Sequence, residues 1–405
     1  MIRPTSLLLA ALALTALPFS NAGSSAASDA CDQIDSKISS ASDIVSKLNP
    51  AFVHDIHHWY LSSSQIPECV FEPGSVDDLA TAMEIISSTR SPFAVKSGGH
   101  ASNPGFSSTP GVHISLKRMD QIVLSEDNST VEIGMGLTWA DVYEELDDAG
   151  YNVVGGRVVG PGVGGFTLGG GFSWKTNQYG LTCDTVKSFT LVFPNGTITR
   201  VDSEQPDLFF ALKGGLNRFG VVASAEFYTH EQPPQVYGGV KVYGSDEIDA
   251  VLNATAQFDA ENTDPKAQII TTLRGEPTLR KTMIKHSGVS VSYDIEPFLK
   301  TWGEHATESA YPHTNSPLPL NMDFAWLSSD DDEYWYNAMR SSVNRLKDVA
   351  MQEGIHSNFT TYPNYAITNT TAEELYGTQN AARLRSIRNQ VDPDRVMELA
   401  GGFSI

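Results

Sequence analysis

The sequence predicts an α+β protein. Short β-branched or alternating runs dominate up to about residue 230, and helical segments interrupt them without the regular strand–helix alternation of a parallel α/β sheet. At 405 residues the chain exceeds one ordinary domain, so two domains or one large composite are expected.

The start, MIRPTSLLLAALALTALPFSNAG, has one Arg, an apolar run from Leu7 to Pro18, and small or polar residues at Ser20, Asn21 and Ala22. That pattern predicts a secretory signal peptide over 1–22, too short to span a membrane, and hence a secreted product. Further on, SVDDLATAMEIISSTR places Ser75 as N-cap, Asp78 three residues later, and Leu79, Met83 and Ile86 on one helical face. TWADVYEELDDAG repeats the design with Thr138, Asp141, Val142 and Leu146, and stops at Gly150. Between them, PFAVKS, GVHISL and TVEIGM read as strands. SFTLVFPNGTITRV reads as a hairpin, because Asn195 and Gly196 supply the positive φ angles of a tight turn. FGVVASAEFYTH is another strand. Past residue 235, YGSDEIDAVLNATAQFDA, DDEYWYNAMRSSVNRLKDVAMQEG and residues 372–390 read as helices, with AQIITTL as a strand between them.

The formal net charge is −21, from 48 acidic and 27 basic residues, and no basic block stands out. This balance argues against nucleic-acid or anionic-membrane partners. Three cysteines allow one disulfide, expected between Cys31 and Cys69 in the loop-rich N-terminal region of an exported chain; Cys183 is then free and buried. Sequons begin at Asn128, Asn195, Asn253, Asn358 and Asn369, so glycosylation is expected behind a signal peptide. HDIHHWY gathers His54, His57 and His58, but no carboxylate or thiol spacing supports a metal site; a surface or interface cluster is expected.

Residues 155–171, GGRVVGPGVGGFTLGGG, hold nine glycines in 17 positions, against 33 in the whole chain. Gly160, Gly162 and Gly165 satisfy G-x-G-x-x-G, but a dinucleotide fold needs a helix opening on the last of these glycines. The FTLGGGF that follows opposes such a helix, since each interior Gly costs about 1 kcal/mol relative to Ala. A broad loop whose bare N–H groups face an anion fits better. Ser97, Gly98, Gly99 and His100, directly after a strand, supply an opposing wall, and two such loops suit a pyrophosphate. The alternative is that the glycines serve only tight turns and bulges.

PFAVKSGGHASNPG, VVGPGVGGFTLGGGFSWKTNQYGLTCD, LKGGLNRFGVVAS, and YPNYA with RLRSIRNQVDPDRVMELAGG resemble, in this order, secreted fungal oxidases of the berberine bridge enzyme-like group. These are flavoproteins of the vanillyl-alcohol oxidase type, and the resemblance spans about residues 60–230 and 360–405. It implies a two-subdomain p-cresol methylhydroxylase-type FAD-binding domain over 60–232, a shortened α+β substrate domain with an antiparallel sheet over 233–358, and a segment, 359–405, that returns to the FAD domain. By the same resemblance Ser97, Gly98, Gly99, Gly160, Gly162, Val163, Gly164, Gly165, Gly170 and Gly171 hold FAD, and Gly220 and Val222 lie along it. His100 matches the histidine bonded to the 8α-methyl of the flavin. Some relatives add a second link through a cysteine at a place close to Val158; no thiol stands there, so a single attachment is expected. Trp174 and Tyr179, just after the second loop, either line the flavin pocket or fill the core.

Oxidation of an alcohol or amine needs a base for the heteroatom proton while hydride leaves carbon. The family's Tyr-x-x-Tyr signature falls on Tyr362 and Tyr365, which implies base or substrate contact for Tyr365. Its reference pKa is about 10, so a lowered value from a nearby cation or hydrogen bond is expected. The reading is an FAD-linked oxidase, monomeric, with a small alcohol, sugar or amine and O2 as partners and H2O2 as product. Between FGVVASAEFYTH and YPNYA the chain has only about 130 residues, fewer than the resemblance implies, which leaves sheet edges exposed. A dehydrogenase with another electron acceptor and a non-catalytic flavoprotein stand as alternatives.

Overall fold

The structure, a computed structural model, describes residues 21–275, 280–314, 319–355 and 360–405. Residues 1–20 of the expected signal peptide and the sequon at Asn358 lie outside the described residues. Residues Asn21–Lys37 form a helix.

Two sheets build the first part of the chain. Strands β1 (Asp43–Val45), β2 (Cys69–Glu72), β3 (Phe93–Lys96) and β4 (Val112–Ser115) lie in the order β1-β2-β4-β3, with β4 parallel to both β2 and β3. A parallel pair needs a crossover, and the helix Val76–Thr89 supplies it between β2 and β3. Ser75 caps that helix by accepting from Asp78 N at 3.1 Å, and Leu79, Met83 and Ile86 are fully buried, as the sequence predicts. The second sheet is antiparallel and holds β5 (Ile122–Leu124), β6 (Thr130–Gly134), β8 (Val186–Val192), β9 (Ile198–Val201) and β10 (Val221–Tyr228), in the order β5-β6-β10-β8-β9. The strand β7 (Tyr151–Asn152) pairs instead with β11 (His230–Glu231). β8 and β9 form the expected hairpin, but of the two turn residues only Gly196, at φ 80°, has a positive φ; Asn195 does not. Asp141 accepts from Thr138 N and Oγ1 to start the helix Trp139–Ala149, and Gly150 ends it at φ 77°.

One expectation needs correcting. A helix does form across the glycine-rich stretch, from Val163 to Leu168, and includes Gly164 and Gly165 before Gly169 ends it. It is only six residues long and follows no strand of the parallel sheet, so the fold is not a dinucleotide-binding βαβ unit. AQIITTL is also shorter as a strand than it reads, since pairing begins only at Thr271.

The later part of the chain holds a three-stranded antiparallel sheet of β12 (Thr271–Arg274), β13 (Gly288–Ile295) and β14 (Leu320–Trp326), in that order. One face, with Tyr293 and Phe324, meets the helix Asp332–Gln352 through Tyr293 Oη and Ser342 Oγ at 2.8 Å and through Phe324 against Trp335. Residues 236–243 have no strand partner, and Val236, Tyr237, Val240, Val242 and Tyr243 are exposed.

Three devices tie this part to the first two sheets. Asp184 accepts from Thr307 N and from the His313 ring at 2.8 Å each, with both side chains of the Asp184–His313 pair 1% exposed. Phe172, Leu181, Cys183, Phe298, Trp302, Tyr311 and Tyr362 form a second core at the junction. The C-terminal segment packs against the earlier part of the chain: Ala400 bridges Phe93, and buried Arg218 donates to the carbonyls of Met397, Ala400 and Phe403.

Cys31 and Cys69 form the expected disulfide across a separation of 38 residues, with Cα atoms 6.2 Å apart, and Cys183 is free and buried. Replacing both bridged cysteines by Ala should cost roughly 3–4 kcal/mol of unfolding free energy in urea, because the loop they close is long. An unchanged midpoint and slope would show that the bridge adds no stability.

Candidate active site

The two glycine loops touch through their main chains. A Cβ added to Gly98 would lie 2.4 Å from Gly162 N, and one on Gly162 would lie 2.1 Å from Gly98 N, so no side chain fits at either position. Ser97 stitches the contact: its Oγ donates to Met135 O at 2.6 Å and accepts from Gly164 N at 3.2 Å. Gly99 turns at φ 71° and receives Trp59 N on its carbonyl at 3.0 Å. A Cβ on Gly165 would meet nothing within 4 Å, so bare backbone borders open space there. This cradle fits an extended anionic cofactor.

The other glycine-rich positions have packing jobs that the structure makes explicit. Gly170 and Gly171, at φ 118° and 92°, accept from Cys183 N and Thr182 N, and Gly171 N donates to Tyr362 Oη at 2.8 Å. Gly220, at φ 143°, lies against Val192 O, Val222 pairs with Leu191 across β10 and β8, and Val163 is fully buried.

His100 stands where the loops meet. Its imidazole stacks on Trp59 with centroids 5.4 Å apart and 13° between planes, and Tyr60 meets its edge at 6.5 Å. On another side, a Cβ at Gly160 would come within 3.2 Å of His100 Cδ2. Burial lowers the imidazole pKa, which favours the neutral, nucleophilic form.

Tyr362 and Tyr365 sit on a 3-10 turn, Pro363–Tyr365, and not on a strand, so both rings come together edge to face at 4.8 Å. Tyr362 Oη accepts from Gly171 N and Asn364 Nδ2, which ties it into the glycine loop. Tyr365 Oη donates to Glu296 Oε1 at 2.9 Å and receives Arg157 Nη2 at 2.9 Å. The same Nη2 reaches both Glu296 oxygens at 3.0 and 2.9 Å, and Arg157 Nη1 is buried with no hydrogen-bond partner. The Arg157 and Glu296 side chains are 10% and 4% exposed. Asn103, buried, joins this turn to the His100 loop by donating to Ala366 O and accepting from Thr368 N, both at 2.8 Å.

The expected lowering of the Tyr365 pKa is not what this arrangement produces. Burial pushes the phenol well above its ordinary value; Arg157 opposes that, and the Glu296 carboxylate adds to it. Burial also raises Glu296, against the pull of Arg157. At neutral pH the phenol therefore carries its proton and offers it to a carboxylate whose proton affinity is enhanced.

Sequence reading missed Arg157, Glu296, Trp59 and Tyr60. The only signal for the last two was their place beside the histidine cluster. Two of its three histidines, His54 and His57, are exposed as expected, whereas His58 is buried and bonds Ile56 O and Ser107. Trp174 is half-exposed beneath the Arg157 guanidinium at 5.6 Å, while Tyr179 stacks on His230. Val158 is exposed.

The α+β fold, the two-loop glycine cradle and the histidine at its mouth are compatible with a bound flavin, and the comparisons point to FAD. Residues 67–202 match the FAD binding domain family. The chain is 37% identical over 227 residues to an uncharacterized FAD-linked oxidoreductase of Arthroderma benhamiae, covering 55% of this chain and 45% of that one. It is 37% identical over 278 residues to an FAD-dependent monooxygenase of Penicillium terrestre, covering 66% and 52%. The chain thus spans about half the length of the curated relatives it matches. Its fold is shared with glucooligosaccharide oxidase of Acremonium strictum, which carries a 6-S-cysteinyl, 8α-N1-histidyl FAD, at a TM-score of 0.72, 19% identity and coverage of 92% and 97%. It is shared also with a berberine bridge enzyme-like protein of Physcomitrella patens at a TM-score of 0.67, 16% identity and coverage of 90% and 97%. Residues 67–202 are thus similar to an FAD binding domain, and the chain is similar in sequence to fungal FAD-linked oxidoreductases.

Two alanine variants separate the roles of the glycines. Gly162→Ala forces the loops apart and should lower both the melting temperature and the flavin retained on purification. Gly165→Ala, whose methyl meets no protein atom, should leave the melting temperature unchanged or slightly raised. Equal behaviour of the two would refute the close-contact argument.

Proposed function

We propose that the protein is a secreted FAD-dependent oxidase that takes a hydride from a small alcohol, sugar or amine and passes the electrons to O2 with release of H2O2. In this reading residues 60–232 hold FAD, residues 233–358 shape the substrate side, residues 359–405 return to the FAD domain, and the molecule is a monomer. His100 is the single covalent anchor, since Val158 offers no thiol. Asn195, Asn253 and Asn369 are exposed and Asn128 is half-buried, which suits carbohydrate attachment. Among the described residues no helix is long and apolar enough to cross a membrane.

The observation that carries the proposal is the Arg157–Glu296–Tyr365 cluster beside the glycine cradle. When bound, FAD supplies a ring able to accept a hydride. The chain supplies the proton path. A substrate hydroxyl or amine donates to Tyr365 Oη as the phenolic proton passes to Glu296 Oε1, so Glu296 is the final acceptor. Arg157 donates to both partners and holds them in register. The unpartnered Arg157 Nη1 has capacity for one further acceptor, from cofactor or substrate.

Tyr365→Phe should slow flavin reduction by roughly 10²-fold or more while bound flavin is retained. The sign of the pH effect follows from the raised Glu296 pKa: the acceptor works only when ionised, so the rate of flavin reduction should fall as pH drops through that pKa, and Glu296→Gln should abolish this limb. Stopped-flow bleaching with a panel of sugars, alcohols and amines reads both effects, and an unchanged rate in Tyr365→Phe removes the relay.

Relatives named FAD-dependent monooxygenases favour a second reading, in which one oxygen atom enters the product. Incorporation of label from 18O2 into product without stoichiometric peroxide would select it over the oxidase.

A further inference from the structure

Arginines converge where the C-terminal segment packs against the earlier chain. A cavity of about 590 Å3 is lined there by Arg218, Arg385, Arg388 and Arg395 and by one acidic side chain, Glu398. Its size falls within the range of roughly 300–1,000 Å3 typical of small-ligand sites, and none of its lining residues belongs to the glycine cradle or to the Arg157 cluster. Arg388, on the helix Ala372–Val391, and Arg395 after it both donate to Glu398 Oε1, at 3.0 and 3.2 Å, so two guanidinium groups share one carboxylate oxygen. Arg388 Nε is buried with no partner. Arg218 spends Nε and Nη1 on carbonyls of the C-terminal segment, and its Nη2 has no acceptor among the described residues. A Cβ on Gly402 would stand 3.1 Å from that Nη2, so glycine keeps it uncovered on that side. Arg218 and Arg388 are buried, whereas Arg385 and Arg395 reach solvent with side chains 40% and 57% exposed; Arg385 pairs at 2.8 Å with Glu373, which lies outside the lining.

We propose that this cavity is a binding site for a phosphate group, carried by inorganic phosphate or by a phosphate monoester. All four cations are arginines, whose planar forks match the oxygens of a tetrahedral anion. Even with a carboxylate counted at Ile405 beside Glu398, the lining holds more cations than anions. Burial pulls the Arg218 pKa down, Glu398 opposes that and Arg388 adds to it, which fits a buried cation facing another cation. A doubly charged oxyanion offsets more of this excess than a monocarboxylate does, and it brings acceptors for the idle donors. The cavity is larger than a bare phosphate, which leaves room for the organic part of an ester. The net charge of −21 repels anions from the molecule as a whole, so capture depends on these local contacts and not on a long-range field.

Isothermal titration of the purified full-length protein with inorganic phosphate, at fixed ionic strength in a buffer free of other oxyanions, should show one saturable site per chain. Acetate should bind about tenfold more weakly or worse. Arg385→Gln and Arg395→Gln, both at positions that reach solvent, should each weaken phosphate about tenfold, as loss of one charge-assisted contact implies. Glu398→Gln carries the opposite expectation: it frees Arg388 and Arg395 from their shared acceptor and should tighten phosphate severalfold. Phenyl phosphate separates the sources, since affinity equal to that of inorganic phosphate admits a monoester and exclusion assigns the site to the free ion. Absence of saturable binding, equal affinity for phosphate and acetate, or wild-type affinity in the double variant Arg385→Gln, Arg395→Gln overturns the inference. Phosphate binding that disappears on addition of FAD places the anion in the cofactor's site and overturns it as well. A protein that binds phosphate but not FAD upholds this inference while removing the flavin-dependent reading above.

Discussion

The contact of bare main chain at Gly98 and Gly162 is the constraint on which the rest of the site depends. Two backbones approach so closely that a methyl group on either collides with the other, and Ser97 closes the join by bonding both Met135 and Gly164. The approach fixes the end of β3 relative to the helix Val163–Leu168. His100, two residues beyond Gly98, then has no freedom to leave the mouth of the cradle. Trp59 and Gly160 close on it from either side. Placement of one imidazole is thus a consequence of missing side chains elsewhere.

A second constraint is electrostatic. Burying Arg157 with Glu296 costs desolvation of both charges, and such a pair is often no more stabilising than an apolar one. Its value is better sought in chemistry than in stability. The pair holds the Tyr365 hydroxyl through two hydrogen bonds, and under the proposed function it gives the phenolic proton somewhere to go. The packing behind it serves the same end: Tyr362, Phe172 and Phe298 form the junction core, and Tyr362 is itself bonded to the glycine loop. Cradle and proton path are therefore mechanically joined, with Asn103 as a further tie.

Local signals made much of the fold legible. The caps at Ser75 and at Thr138 with Asp141, the Asn195–Gly196 turn and the alternating strands act over a few residues, and each element forms where those residues place it. The helix over Val163–Leu168 was misjudged because its glycines were weighed as helix breakers, whereas two distant segments hold its ends: Val163 N bonds Leu137 O, and Leu168 O receives Leu216 N. The site was only half legible. Glycine density and the SGGH stretch announce themselves, but Arg157 meets Glu296 across 139 positions and Tyr365 across 208. Single charged residues carry no periodicity, and nothing in their neighbourhood foretells such partners. Tyr365 was found by motif, while the sign of its pKa shift depends on burial that no motif reports.

The most direct test of the account is peptide mapping by mass spectrometry of the purified full-length protein. The cradle and its anchor require one flavin per chain, carried by the peptide containing His100, and an unmodified peptide with unbound chain in His100→Ala after acid treatment. Colourless wild-type protein that yields only the unmodified His100 peptide and shows no affinity for added FAD would contradict it.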